Sequence, residues 1–142
     1  MAHPQSQLAT SAWKIIPKFH CSDVTRTAKF YTEQLGFHLG SIEHDDASVA
    51  FMCSVAMGKK SDANIYIFRA DATEFRTSSA MIALGTTELD KYYEQLKKEG
   101  IVKIIEDIED KPWGYRQFEV SDPDGNLIQF FKFLEGGNPG TE

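Results

Sequence analysis

Cysteine is too scarce here for a disulfide scaffold: Cys21 and Cys53 are the only two, and they share no metal-like spacing. Both are expected to be reduced and buried, as free cysteines usually are. No apolar run approaches the roughly 18 residues that cross a bilayer. The opening segment MAHPQSQLATSA lacks the apolar centre of a signal peptide, so a cytoplasmic protein without membrane contact is expected. Basic charge is also in deficit, with 15 Lys and Arg against 21 Asp and Glu and a formal net charge of −6. That argues against a nucleic-acid partner, which needs a basic surface. Glycine-rich phosphate loops, a serine nucleophile elbow, an HExxH helix and a Cys–His pair are all missing. What remains is a 142-residue chain, 42% hydrophobic, long enough for one core and too short for two ordinary domains.

Turn and cap residues divide the chain into elements. A first strand is expected over 13–20, with Pro17 marking an edge or an irregularity. Ser22 and Asp23 are N-cap types, and a helix over 24–35 places Val24, Ala28, Tyr31 and Leu35 at helical spacing before the stop at Gly36. Strands over 37–43 and 48–53 flank the turn His44-Asp45-Asp46, and a strand over 63–69 follows the polar loop 58–62. The order then recurs: a strand over 79–84, a helix over 86–99, and strands over 102–106, 115–121 and 127–133. Thr87-x-x-Asp90 reads as a capping pair, and Asp122-Pro123-Asp124-Gly125-Asn126 as a tight hairpin turn. Tyr31-Thr32-Glu33-Gln34-Leu35 and Tyr92-Tyr93-Glu94-Gln95-Leu96 resemble each other at an offset of 61 residues, which points to duplication. The expected organisation is a flexible segment over 1–12, one α+β domain over 13–134 with halves 13–69 and 79–134, and a flexible tail over 135–142.

Asp23, Phe30-Tyr31 and Leu35-Gly36-Phe37 resemble the first-half signature of the glyoxalase, bleomycin-resistance and extradiol dioxygenase superfamily, the vicinal oxygen chelate group. The run from Pro112 to Phe118 and the later Asp122 to Asn126 resemble its second-half signature, in the bleomycin-resistance branch particularly. The resemblance covers residues 14–134. It implies two tandem βαβββ modules forming a cupped mixed sheet with the helices outside, and a homodimer with grooves between subunits. Fold alone does not name a function.

Enzymes of this superfamily use a divalent metal as a Lewis acid in the cup, held by His, Glu or Gln. Carried over one at a time, the glyoxalase-type ligand positions fall on Ile16, Tyr66, Met81 and Gln129. Ile16 has no donor atom, a thioether suits hard or borderline ions poorly, and Tyr is rarely a ligand unless ionised. Gln129 alone can coordinate. A slip of one residue finds no ligand type at any neighbouring position, so no metal and no other cofactor is expected. His20 reads as a strand-end histidine satisfied by backbone, and His44-Asp45-Asp46 as a polar turn.

Without ligands the cup becomes an apolar pocket with a few polar groups. Its expected wall is Tyr66, Phe68, Met81 and Gln129, with Phe51 a further candidate. The four carboxylates within residues 106–110 read as an acidic loop, and Trp113 at its end can stack on a planar guest or face a cation. The expected function is therefore metal-free sequestration of a planar or cationic small molecule, such as an antibiotic of the bleomycin type. Two alternatives stay open: an isomerase, lyase or dioxygenase of the same superfamily, and a partner-binding regulatory domain.

Overall fold

Ten regular elements run through the computed structural model, which describes residues 8–140. They are β1 (Lys18–Cys21), α1 (Val24–Lys29), β2 (His38–His44), β3 (Ala50–Met57), β4 (Ala63–Arg69), β5 (Ser79–Ala83), α2 (Glu88–Glu99), β6 (Lys103–Asp110), β7 (Tyr115–Ser121) and β8 (Leu127–Phe133). The order is βαβββ twice, an α+β fold as expected. Hydrogen bonding divides the strands into two mixed four-stranded sheets, β1-β4-β3-β2 and β5-β8-β7-β6. In each, the first pair is parallel and the others antiparallel. The duplication extends to the register: a shift of 61 carries the parallel partners Lys18↔Tyr66 onto Ser79↔Leu127.

Local chemistry explains most boundaries. Asp23 Oδ1 accepts the Arg26 N–H at 3.0 Å and caps α1. The helical stretch expected over 24–35 is present but changes form, because Phe30–Gln34 widens into a π turn in which the Leu35 N–H reaches the Phe30 carbonyl. Thr87, by contrast, makes no side-chain cap bond to α2. Its expected partner Asp90 is held instead by the Arg116 guanidinium through contacts of 2.7 and 3.0 Å. A bidentate charge-assisted pair is the stronger use of that carboxylate.

Three boundaries move by more than two residues. β1 starts at Lys18, not at residue 13, because Pro17 has no N–H for the ladder and only its carbonyl is used, by the Tyr66 N–H. β3 continues past Cys53 to Met57. β6 continues to Asp110, so the stretch read as an acidic loop is the irregular end of a strand. The expected flexible ends fall partly outside the described residues. Within them, Asn138 is buried and brackets Phe133, accepting its N–H at 3.0 Å and donating to its carbonyl at 2.7 Å.

One face of each sheet is covered by a helix, and the two covered faces share a core that includes Phe19, Ile67, Tyr31, Leu89, Phe118 and Phe130. Alternation along a strand then leaves the opposite side chains on an open face. The halves are clasped by Asp122, whose carboxylate accepts the Tyr31 hydroxyl at 2.8 Å and the Asn126 amide at 2.8 Å. Both cysteines are fully buried and unpaired, and burial pushes the Cys21 and Cys53 thiols up to about 11 and about 12. Among the described residues no helix is long and apolar enough to cross a membrane.

Candidate functional site

The open face of the second sheet gathers a connected polar network. Strand register sets Met81, Gln129, Glu119 and Glu106 in one row across β5, β8, β7 and β6. The next row pairs Gln117 with Phe131. Gln117 is only 5% exposed and is the hub. Its Oε1 accepts the Trp113 indole N–H at 3.3 Å and the Gln129 amide at 2.9 Å, while its Nε2 donates to Glu106 Oε1 at 3.0 Å. The amide can satisfy these three only in that orientation, with its acceptor toward two donors and its donor toward a carboxylate. Tyr115, Phe131 and Phe133 pack beside it at ring separations of 4.9 to 5.4 Å.

Trp113 lies in the β6–β7 turn, which Gly114 closes at a φ of +93° that favours glycine. Its indole is 58% exposed, yet it is oriented by Gln117 and flanked by Lys111, whose Nζ lies 5.7 Å from the ring centroid. A large aromatic surface held in place beside carboxylates and left in solvent is suited to a planar or cationic guest.

Of the other candidates, Met81 and Gln129 face each other directly in this sheet, and Met81 is 53% exposed. Tyr66 and Phe68 share the open face of the first sheet, where the Lys18 ammonium lies 5.2 Å from the Phe68 ring centroid. Phe51 falls elsewhere. It has the parity of Cys53 and Val55, which point into the helix-covered core, so alternation turns it away from Tyr66 and Phe68. Hydrophobic character suggested Phe51, whereas strand parity decides its face.

Register also tests the metal positions. Met81↔Gln129 corresponds, at the shift of 61, to His20↔Phe68, so Tyr66 is two residues and Ile16 four residues short of the symmetric set. Ile16 precedes β1 altogether. His20 and Gln129 are the only metal-donor types in the symmetric set, and His20 Nδ1 already accepts the Arg76 backbone N–H at 3.0 Å. Among the described residues no three His, Cys, Asp or Glu converge. This donor set does not fit a divalent ion. The turn at Asp45 is satisfied locally too, its carboxylate taking the N–H groups of Ala47 and Val49.

Gln117, Glu119, Glu106 and Lys111 lie with Trp113 and Gln129 in this candidate site, and the sequence alone did not single them out as its wall. The signal for two of them was available in β7, where Tyr115, Gln117 and Glu119 alternate with Arg116, Phe118 and Val120. Glu106 and Glu119 are direct cross-strand partners, an unfavourable placement for like charges. Burial, and then the Glu106 charge, hold the Glu119 carboxyl above the ordinary glutamate value. Bonds from Gln117 and Lys111 hold Glu106 below it.

A further cavity lies elsewhere. A cleft of about 870 Å³ separates α2 from the first half, between Tyr92 and Gln95 on one side and Leu35, Met57 and Lys59 on the other. None of Trp113, Gln117, Gln129, Tyr66 and Phe68 lines it.

Comparison with known proteins bears on the family and the fold. The profile of the Glyoxalase/Bleomycin resistance protein/Dioxygenase superfamily matches residues 18–130. Proteins named bleomycin resistance protein from Geobacillus stearothermophilus and Staphylococcus aureus are each 29% identical over 129 residues, 84% of this chain and 96% of theirs. Two solved structures share the fold. TnmS3, an antibiotic binding protein from Streptomyces sp. CB03234, superposes with a TM-score of 0.68 at 23% identity, over 86% of this chain and 96% of that one. TioX from Micromonospora sp. ML1 gives 0.68 at 18% identity, over 87% and 100%. The chain belongs to the glyoxalase/bleomycin resistance protein/dioxygenase superfamily.

Proposed function

We propose that this protein sequesters a planar or cationic small molecule of the bleomycin type, without metal chemistry, on the open face of its second sheet. The observation that carries the reading is Trp113: an exposed indole oriented by a buried glutamine, with Glu106 and Glu119 on the same face. The names of the bleomycin resistance relatives support the ligand class. The poor donor set at His20, Phe68, Met81 and Gln129 supports binding without an ion. Met81, Trp113 and Phe133 together leave apolar surface in solvent, and a second copy closing over it forms the cup as a homodimer. Two buried, unpaired thiols suit a reducing cytoplasm.

The test is calorimetric titration with bleomycin. The expected result is one guest per chain, in a protein that elemental analysis shows to lack stoichiometric metal and light scattering shows to be about twice 16.0 kDa. No heat of binding across the micromolar range overturns the reading.

Acid should weaken the binding of a cationic guest. Glu119, raised by burial, takes up its proton before Glu106, which is lowered. A cation favours the ionised form, so affinity is full above the Glu119 pKa and is lost as pH falls through it. Titrations at successively lower pH should show this loss, and Glu119→Gln should flatten it. An unchanged slope in that variant removes Glu119 from the site.

A further inference from the structure

Lys111 is unusual for a lysine in a hairpin turn, a type of position where the side chain is normally free in water. Only 12% of its side chain is exposed. Its backbone is fixed at both ends of the turn, donating to the Tyr115 carbonyl at 2.7 Å and accepting the Gly114 N–H at 3.0 Å. Its ammonium lies 3.1 Å from Glu106 Oε2, pairs also with Glu109, and stands over the Trp113 ring at 5.7 Å from the centroid. Two carboxylates and an aromatic face are what a guest ammonium seeks from a protein. Here those groups already surround a cation, and the cation is the protein's own.

We infer that Lys111 is a specificity-determining residue, a tethered ammonium occupying the cation subsite formed by Glu106, Glu109 and Trp113. A guest that brings its own ammonium must displace it. A planar guest without charge can use the opposite face of the indole and leave Lys111 in place. A tethered group competes at a millimolar effective concentration, so an isolated amine binds the parent protein weakly even though its contacts are complete. An ordinary surface ion pair does not behave this way, because neither partner fills a site that another molecule wants. The inference rests on the reading that Trp113 receives the guest.

The experiment uses n-butylammonium as probe, followed by amide chemical shifts around residues 106–117. Lys111→Met keeps the length of the side chain and removes its charge. It should bind the probe at least about tenfold more tightly than the parent, and Lys111→Arg should bind like the parent. Adding Trp113→Ala to Lys111→Met should abolish the gain. A Lys111→Met protein that binds no more tightly overturns the inference, as does a gain that survives loss of the indole. A second measurement needs no variant: Lys111 should be slow to undergo reductive methylation in the free protein and should react several-fold faster with saturating n-butyltrimethylammonium, a cation with no N–H to consume the reagent. An unchanged rate overturns the inference even if Lys111→Met fails to fold. Bleomycin titration of the parent tests the underlying reading separately. Binding there with no gain in Lys111→Met defeats this inference alone.

Discussion

Trp113→Ala is expected to weaken bleomycin binding about tenfold or more, with a melting temperature within a few degrees of the parent. Stacking by an indole contributes on the order of 1 kcal/mol beyond the area it buries. Loss of that area adds about 25 cal/mol for each Å² covered by the guest, and each 1.4 kcal/mol is about a factor of ten. The fold has little to lose. The ring is 58% exposed, and Gln117 Oε1 keeps the Gln129 amide as a donor once the indole N–H is gone. Substitutions at such surface positions usually change stability by about 0.5 kcal/mol or less. The competing view has Trp113 anchoring the turn into β7, in which case the variant melts many degrees lower and its binding loss follows unfolding. Melting curves and titrations on the same two proteins separate the outcomes, and equal affinity at equal stability removes Trp113 from the site.

Periodicity and turn chemistry were enough to read the βαβββ repeat, because capping by Asp23, the stop at Gly36 and the Asp122–Asn126 turn are all local effects. β4, β7 and β8 start and end where the sequence places them. β6 was too short by four residues, since its partners are supplied by β7 and its carboxylates resemble a loop when taken alone. The site was legible in part for the same reason. Trp113 and Gln129 were found as separate candidates, but the residue that joins them, Gln117, becomes visible only when three strands are set in register. Phe51 shows the converse error: its residue type fits a pocket, and its parity places it on the other face. Thr87 and Asp90 have the spacing of a capping pair, yet Arg116, 26 residues beyond Asp90, claims the carboxylate.

The largest loss of stability should come from Asp122→Ala. The carboxylate is 5% exposed and accepts four hydrogen bonds: the backbone N–H groups of Asp124 and Asn126 at 2.9 Å, and the Tyr31 hydroxyl and Asn126 amide at 2.8 Å. Burial pushes the Asp122 carboxyl above the ordinary aspartate value, and these donors pull the other way. Alanine strands the Tyr31 hydroxyl and two Asn126 N–H groups, one backbone and one side-chain, where both residues are fully buried, and an orphaned buried polar group costs about 1–3 kcal/mol. It also frees the turn that ties the second half to the first, because Asn126 donates to the His20 carbonyl at 2.8 Å and accepts the Ser78 N–H at 2.9 Å. The combined cost should be about 3–5 kcal/mol, as for breaking other buried charged networks, or roughly 10 °C or more in melting temperature. Tyr31→Phe removes one donor and leaves the turn intact, so its cost should be about 1 kcal/mol. Thermal unfolding of the two variants beside the parent checks the ordering. If Asp122→Ala melts within a few degrees of Tyr31→Phe, the clasp contributes little stability and the common core alone holds the halves together.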